Sequence, residues 1–114
     1  MDKRLDDALA FANYRLTLQV QRQNIDARVQ SALLLSYQNA IFKTTQELMN
    51  FVDLKHRIGG ELFVEDNSGN VIQINDCKEF LDKLIQTYDS AMSLKQEEQL
   101  RLKSARSTAK IVGL

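Results

Sequence analysis

The chain has 114 residues, one domain's worth, and its fifteen Lys and Arg balance fifteen Asp and Glu. A composition 44% hydrophobic and 26% charged excludes a disordered tail, a collagen-like repeat and a disulfide scaffold. No apolar run approaches the ~20 residues that span a bilayer, and no signal-peptide core follows Met1-Asp2-Lys3-Arg4. The single cysteine, Cys77, fits a reducing compartment, so a cytoplasmic protein is expected.

Residues 2–57 contain neither Gly nor Pro and are rich in Leu, Ala, Gln and Arg, so they read as one long helical region. Leu5, Leu9, Ala12, Leu16 and Val20 form one apolar stripe, and Phe11, Tyr14, Leu18 and Ile25 form a second, rotated around the helix. One partner helix covers only one of them, which points to two neighbours. The polar run Gln19 to Asn24 offers a site for a break near Gln23-Asn24, although no Gly or Pro enforces one. Beyond it, Leu34, Tyr37, Ile41, Thr44, Leu48, Phe51, Lys55 and Ile58 recur at steps of three and four, widened by Leu35, Phe42 and Met49.

Residues 58–75 read as a β-hairpin. Gly59-Gly60 ends the helix, and Leu62–Glu65 and Val71–Ile74 flank a turn. A three-residue loop Asn67-Ser68-Gly69 sets Leu62, Val64, Ile72 and Ile74 on one face, whereas a four-residue loop breaks that grouping. The three-residue register is expected. These four residues need a cover, either the helix ends or hairpins of other subunits.

A second long helix is expected over 76–110, opened by Asp76 as cap with Glu79 three residues on. Cys77, Leu81, Leu84, Tyr88, Ala91, Lys95, Glu98, Leu102, Ala105, Ala109 and Val112 alternate four- and three-residue steps, a coiled-coil-like seam. Its ~33 residues match residues 25–57, which it is expected to pair with. The fold class is therefore mainly α: a single domain, residues 1–114, built as a long antiparallel helical hairpin with a small β-hairpin between the helices.

Chemistry-bearing residues are sparse. His56, the one histidine, sits where a helix C-terminus favours a cation. Cys77 lies at a helix start that can activate a thiol, but on a seam position that suits a small buried hydrophobe. Gly59-Gly60 follows a helix rather than a strand, the wrong context for a phosphate loop. No catalytic, cofactor or metal residues are expected, and no small-molecule substrate is evident. Charge, in contrast, is segregated. Residues 61–98 hold nine acids and three bases, and residues 99–114 hold Arg101, Lys103, Arg106 and Lys110 with no acid. Those four, with Arg15, Arg22 and Arg28, are the candidate nucleic-acid contacts; the competing reading is a helix C-terminus with its usual cations.

With Ile58-Gly59-Gly60 leading into Leu62–Glu65, the turn at Asn67-Ser68-Gly69 and the restart at Asp76, the layout resembles the prefoldin family of chaperone subunits. The resemblance is one of architecture over the whole chain. It implies hairpins that assemble an oligomer through Leu62, Val64, Ile72 and Ile74. It also implies a client-binding tip at Leu5, Leu9, Phe11, Ile111, Val112 and Leu114. The Pro-free, Gln- and Asn-containing chain is also similar to small accessory proteins of tailed phages. The expected function is that of a non-enzymatic homo-oligomer binding another protein, as assembly factor or chaperone-like scaffold. Its interface would include Leu5, Leu9, Phe11, Leu16, Leu18 and Ile25 with the hairpin residues. A nucleic-acid-binding accessory protein is the alternative.

Overall fold

The structure, a computed structural model, describes residues 3–111, with side chains described through residue 105. Seven elements follow in order: α1 (Lys3–Ala32), β1 (Leu34–Tyr37), β2 (Ala40–Lys43), α2 (Gln46–Ile58), β3 (Leu62–Glu65), β4 (Val71–Ile74) and α3 (Cys77–Ile111). The fold is mainly helical with small antiparallel hairpins between helices. Contacts divide the chain into two units, one of 1–28 with 94–114 and one of Val29–Ser93.

The expected helical region over 2–57 is corrected in one place, and the possible break near Gln23-Asn24 does not occur. Helix α1 runs unbroken through Gln23-Asn24, because Gln and Arg hold helix well and nothing there removes a backbone donor. The interruption comes instead at residues 34–43, which form a second β-hairpin. There Leu35, Tyr37, Ala40 and Phe42 turn inward, while Leu34, Ser36, Ile41 and Lys43 turn outward. Gln38 and Asn39 both take left-handed backbone angles (φ 48° and 61°), the requirement of a two-residue type I′ turn. Hydrogen bonding continues past the strands through Thr44 N–H to Leu33 O at 2.8 Å. Thr45 then caps α2, its hydroxyl accepting from Leu48 N–H at 3.1 Å.

The hairpin β3–β4 follows the expected register. Leu62 faces Ile74, Val64 faces Ile72, and Asp66 N–H donates to Asn70 O, closing the loop Asn67-Ser68-Gly69. Gly69 supplies the left-handed residue (φ 88°), and Gly59 (φ 85°) ends α2 by donating to Lys55 O at 2.8 Å. Asp76 caps α3, accepting from Glu79 N–H at 3.0 Å.

Within Val29–Ser93, both hairpins lay their inner faces on one core of Ala40, Phe42, Val52, Leu62, Val64, Ile74, Phe80 and Leu84. Phe42 meets the Phe80 ring edge-on at 5.0 Å between centroids, and Tyr37 lies 5.1 Å from it on a tilt. The hairpins also hold each other. Gln38 donates from Nε2 to Gln73 O and accepts at Oε1 from Asn75 N–H, both at 2.9 Å, while Asn67 N–H donates to Ile41 O at 2.7 Å.

The inward face of α2 differs from the expected stripe. Val52 is buried with Leu48 and Met49 beside it, whereas Phe51, Leu54 and Ile58 are exposed. In the other unit, α1 and α3 run antiparallel: Arg28 grips Glu98, and Gln21 and Ile25 share a cleft with Leu102 and Ala105. The pairing of α3 with residues 25–57 is thus corrected in part: the first hairpin removes ten residues from that stretch, while α2 still meets α3 through Gln46 on Tyr88 and Val52 on Cys77. The seam on α3 stays turned inward, buried or half-buried, from Cys77 through Leu102.

Candidate interaction surfaces

The two apolar stripes of α1 have different fates. In the second stripe Ile25 is buried, Tyr14 and Leu18 are half-buried, and Phe11 stays exposed with Arg15 over its ring at 5.8 Å. In the first stripe Leu5, Leu9, Ala12, Leu16 and Val20 are all exposed. An exposed apolar row of this length makes that side of the helix a candidate interaction surface.

Leu62, Val64, Ile72 and Ile74 share one face, as their spacing predicts, but that face lies on the chain's own core. Phe42 and its hairpin, with Val52 and Phe80, supply the cover, so little of these four side chains is left to offer a second subunit. The apolar surface that the Val29–Ser93 unit does present includes Leu34, Ile41, Phe63 and Val71 on the outer strand faces, with Phe51, Leu54 and Ile58 on α2 and Ile85 on α3. Sequence reasoning missed Ile41 because it read that stretch as helix. Phe63 and Val71 were legible as the other phase of the strand alternation.

The basic residues do not form one group. Arg28 makes two hydrogen bonds to Glu98 at 3.2 and 3.3 Å, and Arg101 pairs with Glu97 at 3.3 Å and Glu98 at 3.7 Å. Glu98, at a seam position, is thereby held between two guanidinium groups. On α1 and α3, Arg22, Lys95 and Lys103 line an open cleft of about 430 Å³ with Ile25, Asp26, Gln99 and Leu102. Among the described residues no ion pair holds those three cations. The side chains of Arg106, Lys110 and Ile111, and all of Val112 and Leu114, lie outside the described residues.

The remaining candidates for chemistry have ordinary surroundings. His56 is exposed on the last turn of α2. The Cys77 thiol donates to Val52 O at 3.5 Å. Burial pushes its pKa up, the Asp76 and Asp53 carboxylates add to the shift, and Lys55 opposes it. A neutral thiol results, the opposite of an activated nucleophile. Burial likewise raises the Tyr37 pKa, with the Glu79 carboxylate beside its hydroxyl contributing. Among the described residues no helix is long and apolar enough to cross a membrane. No family model, curated protein or solved structure matches the chain.

Proposed function

We propose that this chain is a non-enzymatic, self-associating helical protein that binds another protein in the cytoplasm, as an assembly factor or chaperone-like scaffold. One observation carries the reading: large apolar side chains stay exposed in a row, Leu5-Leu9-Leu16-Val20 on α1, with Leu34, Ile41, Phe63 and Val71 exposed besides on the outer strand faces. Scattered exposed hydrophobes are ordinary, but rows of them mark contact surfaces. The prefoldin-like layout and the likeness to phage accessory proteins agree with such a role and add no residue to it. Sedimentation equilibrium at micromolar concentration tests self-association, and suppression of aggregation of a chemically unfolded enzyme tests client binding. The expected results are a mass above 13.1 kDa and suppression at near-stoichiometric ratios. A 13.1 kDa species without suppression rejects the reading.

A nucleic-acid-binding accessory protein is the second reading, favoured by the three cations of the cleft, Arg22, Lys95 and Lys103. The carboxylates on Arg28 and Arg101 count against it, since a cation already neutralised by glutamate releases few counterions on meeting a phosphate. Binding to single- or double-stranded nucleic acid that weakens steeply with salt would favour this alternative.

A further inference from the structure

The helix pair α1–α3 is charged differently on its two sides. On one side Arg28 and Arg101 close on Glu97 and Glu98 at 3.2 to 3.7 Å, so two cations meet two carboxylates and cancel. On the other side Arg22 from α1 and Lys95 and Lys103 from α3 line the cleft of about 430 Å³, with Asp26 its one carboxylate. Arg22 is shared with an adjoining open cleft that adds Arg15 to the row. None of these four cations has an ion pair among the described residues. Helical spacing produces the split. At roughly 100° per residue, Arg15 and Arg22 fall about 60° to one side of the inward Leu18–Ile25 line, and Arg28 about 70° to the other.

We propose that this unpaired side is a groove for the sugar–phosphate backbone of a single-stranded nucleic acid, held by Arg15, Arg22, Lys95 and Lys103. The proposal rests on the second reading above, and names the groove, its cations and the form of the strand. Four unpaired cations around one carboxylate are a standing surplus of positive charge, complementary to an anionic chain. They are also strung out along the helices. At 1.5 Å per residue, Lys95 and Lys103 lie about 12 Å apart along α3, and Arg15 and Arg22 about 10 Å apart along α1. A row of that length suits a polymer with a charge on every repeat, whereas a lone phosphate reaches only one end of it.

The floor of the cleft selects a single strand over other anionic partners. Ile25 is buried and Leu102 half-buried, with Gln99 beside them. That narrow apolar strip takes the face of one unstacked base, and is too small to cover the apolar stripe of an acidic helix. A duplex keeps its bases stacked inside and gains nothing from the strip. Phe11, exposed with Arg15 over its ring, adds a stacking platform at the end of the row. Phosphate contacts then dominate, so binding is sequence-tolerant and weakens with salt.

Fluorescence anisotropy of a labelled oligothymidylate, titrated with the full chain at several salt concentrations, tests the groove. Four phosphate contacts predict a log–log salt slope of about −3. Arg22→Gln with Lys103→Gln should weaken binding about tenfold or more and flatten the slope by about 1.4. Arg28→Gln with Arg101→Gln removes the same charge from the opposite side and should change both little. Arg22→Lys with Lys103→Arg, which keeps the charge, should bind as the unsubstituted chain does, and circular dichroism confirms that each variant keeps its helices. Equal losses in the two glutamine pairs would overturn the groove while leaving nucleic-acid binding standing. A matching duplex bound as tightly as the strand would overturn the single-stranded form. Displacement by poly-glutamate as effective as by unlabelled oligothymidylate would overturn nucleic acid as the occupant in favour of an acidic protein. No binding of strand or duplex at low salt overturns both the groove and the second reading.

Discussion

The two β-hairpins are alike in length, in antiparallel pairing and in their alternation of inward and outward side chains, yet they are specified in different ways. Hairpin β3–β4 is written locally. Gly59 ends the preceding helix, Gly69 takes the left-handed turn position and Asp76 caps the helix that follows, each a short-range signal with its own steric reason. Hairpin β1–β2 has no glycine. Its turn asks Gln38 and Asn39 to adopt angles that most side chains resist, and only the asparagine has a local preference for them. What holds it is tertiary: Phe42 and Tyr37 on Phe80, and the Gln38 side chain spanning Gln73 and Asn75. Local code and tertiary support reach the same shape.

The largest expected effect comes from removing that tertiary support. Phe42 is fully buried at the centre of the core, so Phe42→Ala should cost about 3–5 kcal/mol, the usual range for a buried phenylalanine. At roughly 4 °C per kcal/mol this drops the melting temperature by over 10 °C. Val64→Asp on the other hairpin places an unpaired charge in the same core and should cost at least as much. If one hairpin is an independent appendage, its variant will leave melting nearly unchanged and lose only its own hydrogen-exchange protection. The contact of both inner faces with Phe80 and Leu84 predicts joint loss.

Legibility followed the same division. The register of β3–β4, the cap at Asp76 and the inward seam from Cys77 to Leu102 were readable, because each depends on neighbours within a few residues. Residues 34–43 were not. Leu34, Tyr37, Ile41 and Thr44 satisfy a helical spacing while Leu35, Tyr37, Ala40 and Phe42 satisfy the inward side of a hairpin, and periodicity alone cannot choose. The adjacent Tyr37, Ile41, Phe42, Thr44 and Thr45 were a β-favouring cluster that tipped the balance. Missing it made residues 34–43 part of the helix matched to α3, whereas the helical parts of that stretch that meet α3 are α2 and the end of α1. On the surface, the split of α1 into two stripes was readable, and the Leu5 stripe is the one left open. The outward Ile41 depended on the missed hairpin, and the guanidinium pairs on Glu98 depended on the α1–α3 register.

Substitutions at the two turns separate strain from support. Gln38→Ala removes both side-chain bonds to Gln73 and Asn75 and keeps a Cβ at a left-handed angle, and should cost about 1–3 kcal/mol. Gln38→Gly removes the same bonds without the strain, so the difference between the two variants in urea melts isolates the backbone term. If Gln38→Ala is neutral, the bonds to Gln73 and Asn75 contribute nothing and packing alone holds the hairpin. Gly69→Ala should cost about 1–2 kcal/mol. Its new Cβ would meet Glu65 Oε1 at 3.5 Å, an ordinary contact, so the penalty is conformational and not a clash.

The smallest effect concerns the one polar side chain that the first hairpin carries into the core. All four inward residues of β3–β4 are apolar, whereas Thr44, just past β2, is 1% exposed and its hydroxyl has no hydrogen-bond partner among the described residues. Its backbone N–H is already bonded to Leu33 O, so a local reason for threonine there is β-propensity, not a side-chain bond. Desolvating an unpaired hydroxyl costs about 1–3 kcal/mol, and valine keeps the β-branched shape without that cost. Thr44→Val should therefore stabilise the fold by about 1 kcal/mol, raising the urea midpoint at unchanged slope. Thr44→Ser, which keeps the hydroxyl and loses the methyl, should move the midpoint the other way. If Thr44→Val destabilises instead, the hydroxyl has a partner in solution, and the first hairpin draws on one more tertiary bond than its geometry displays.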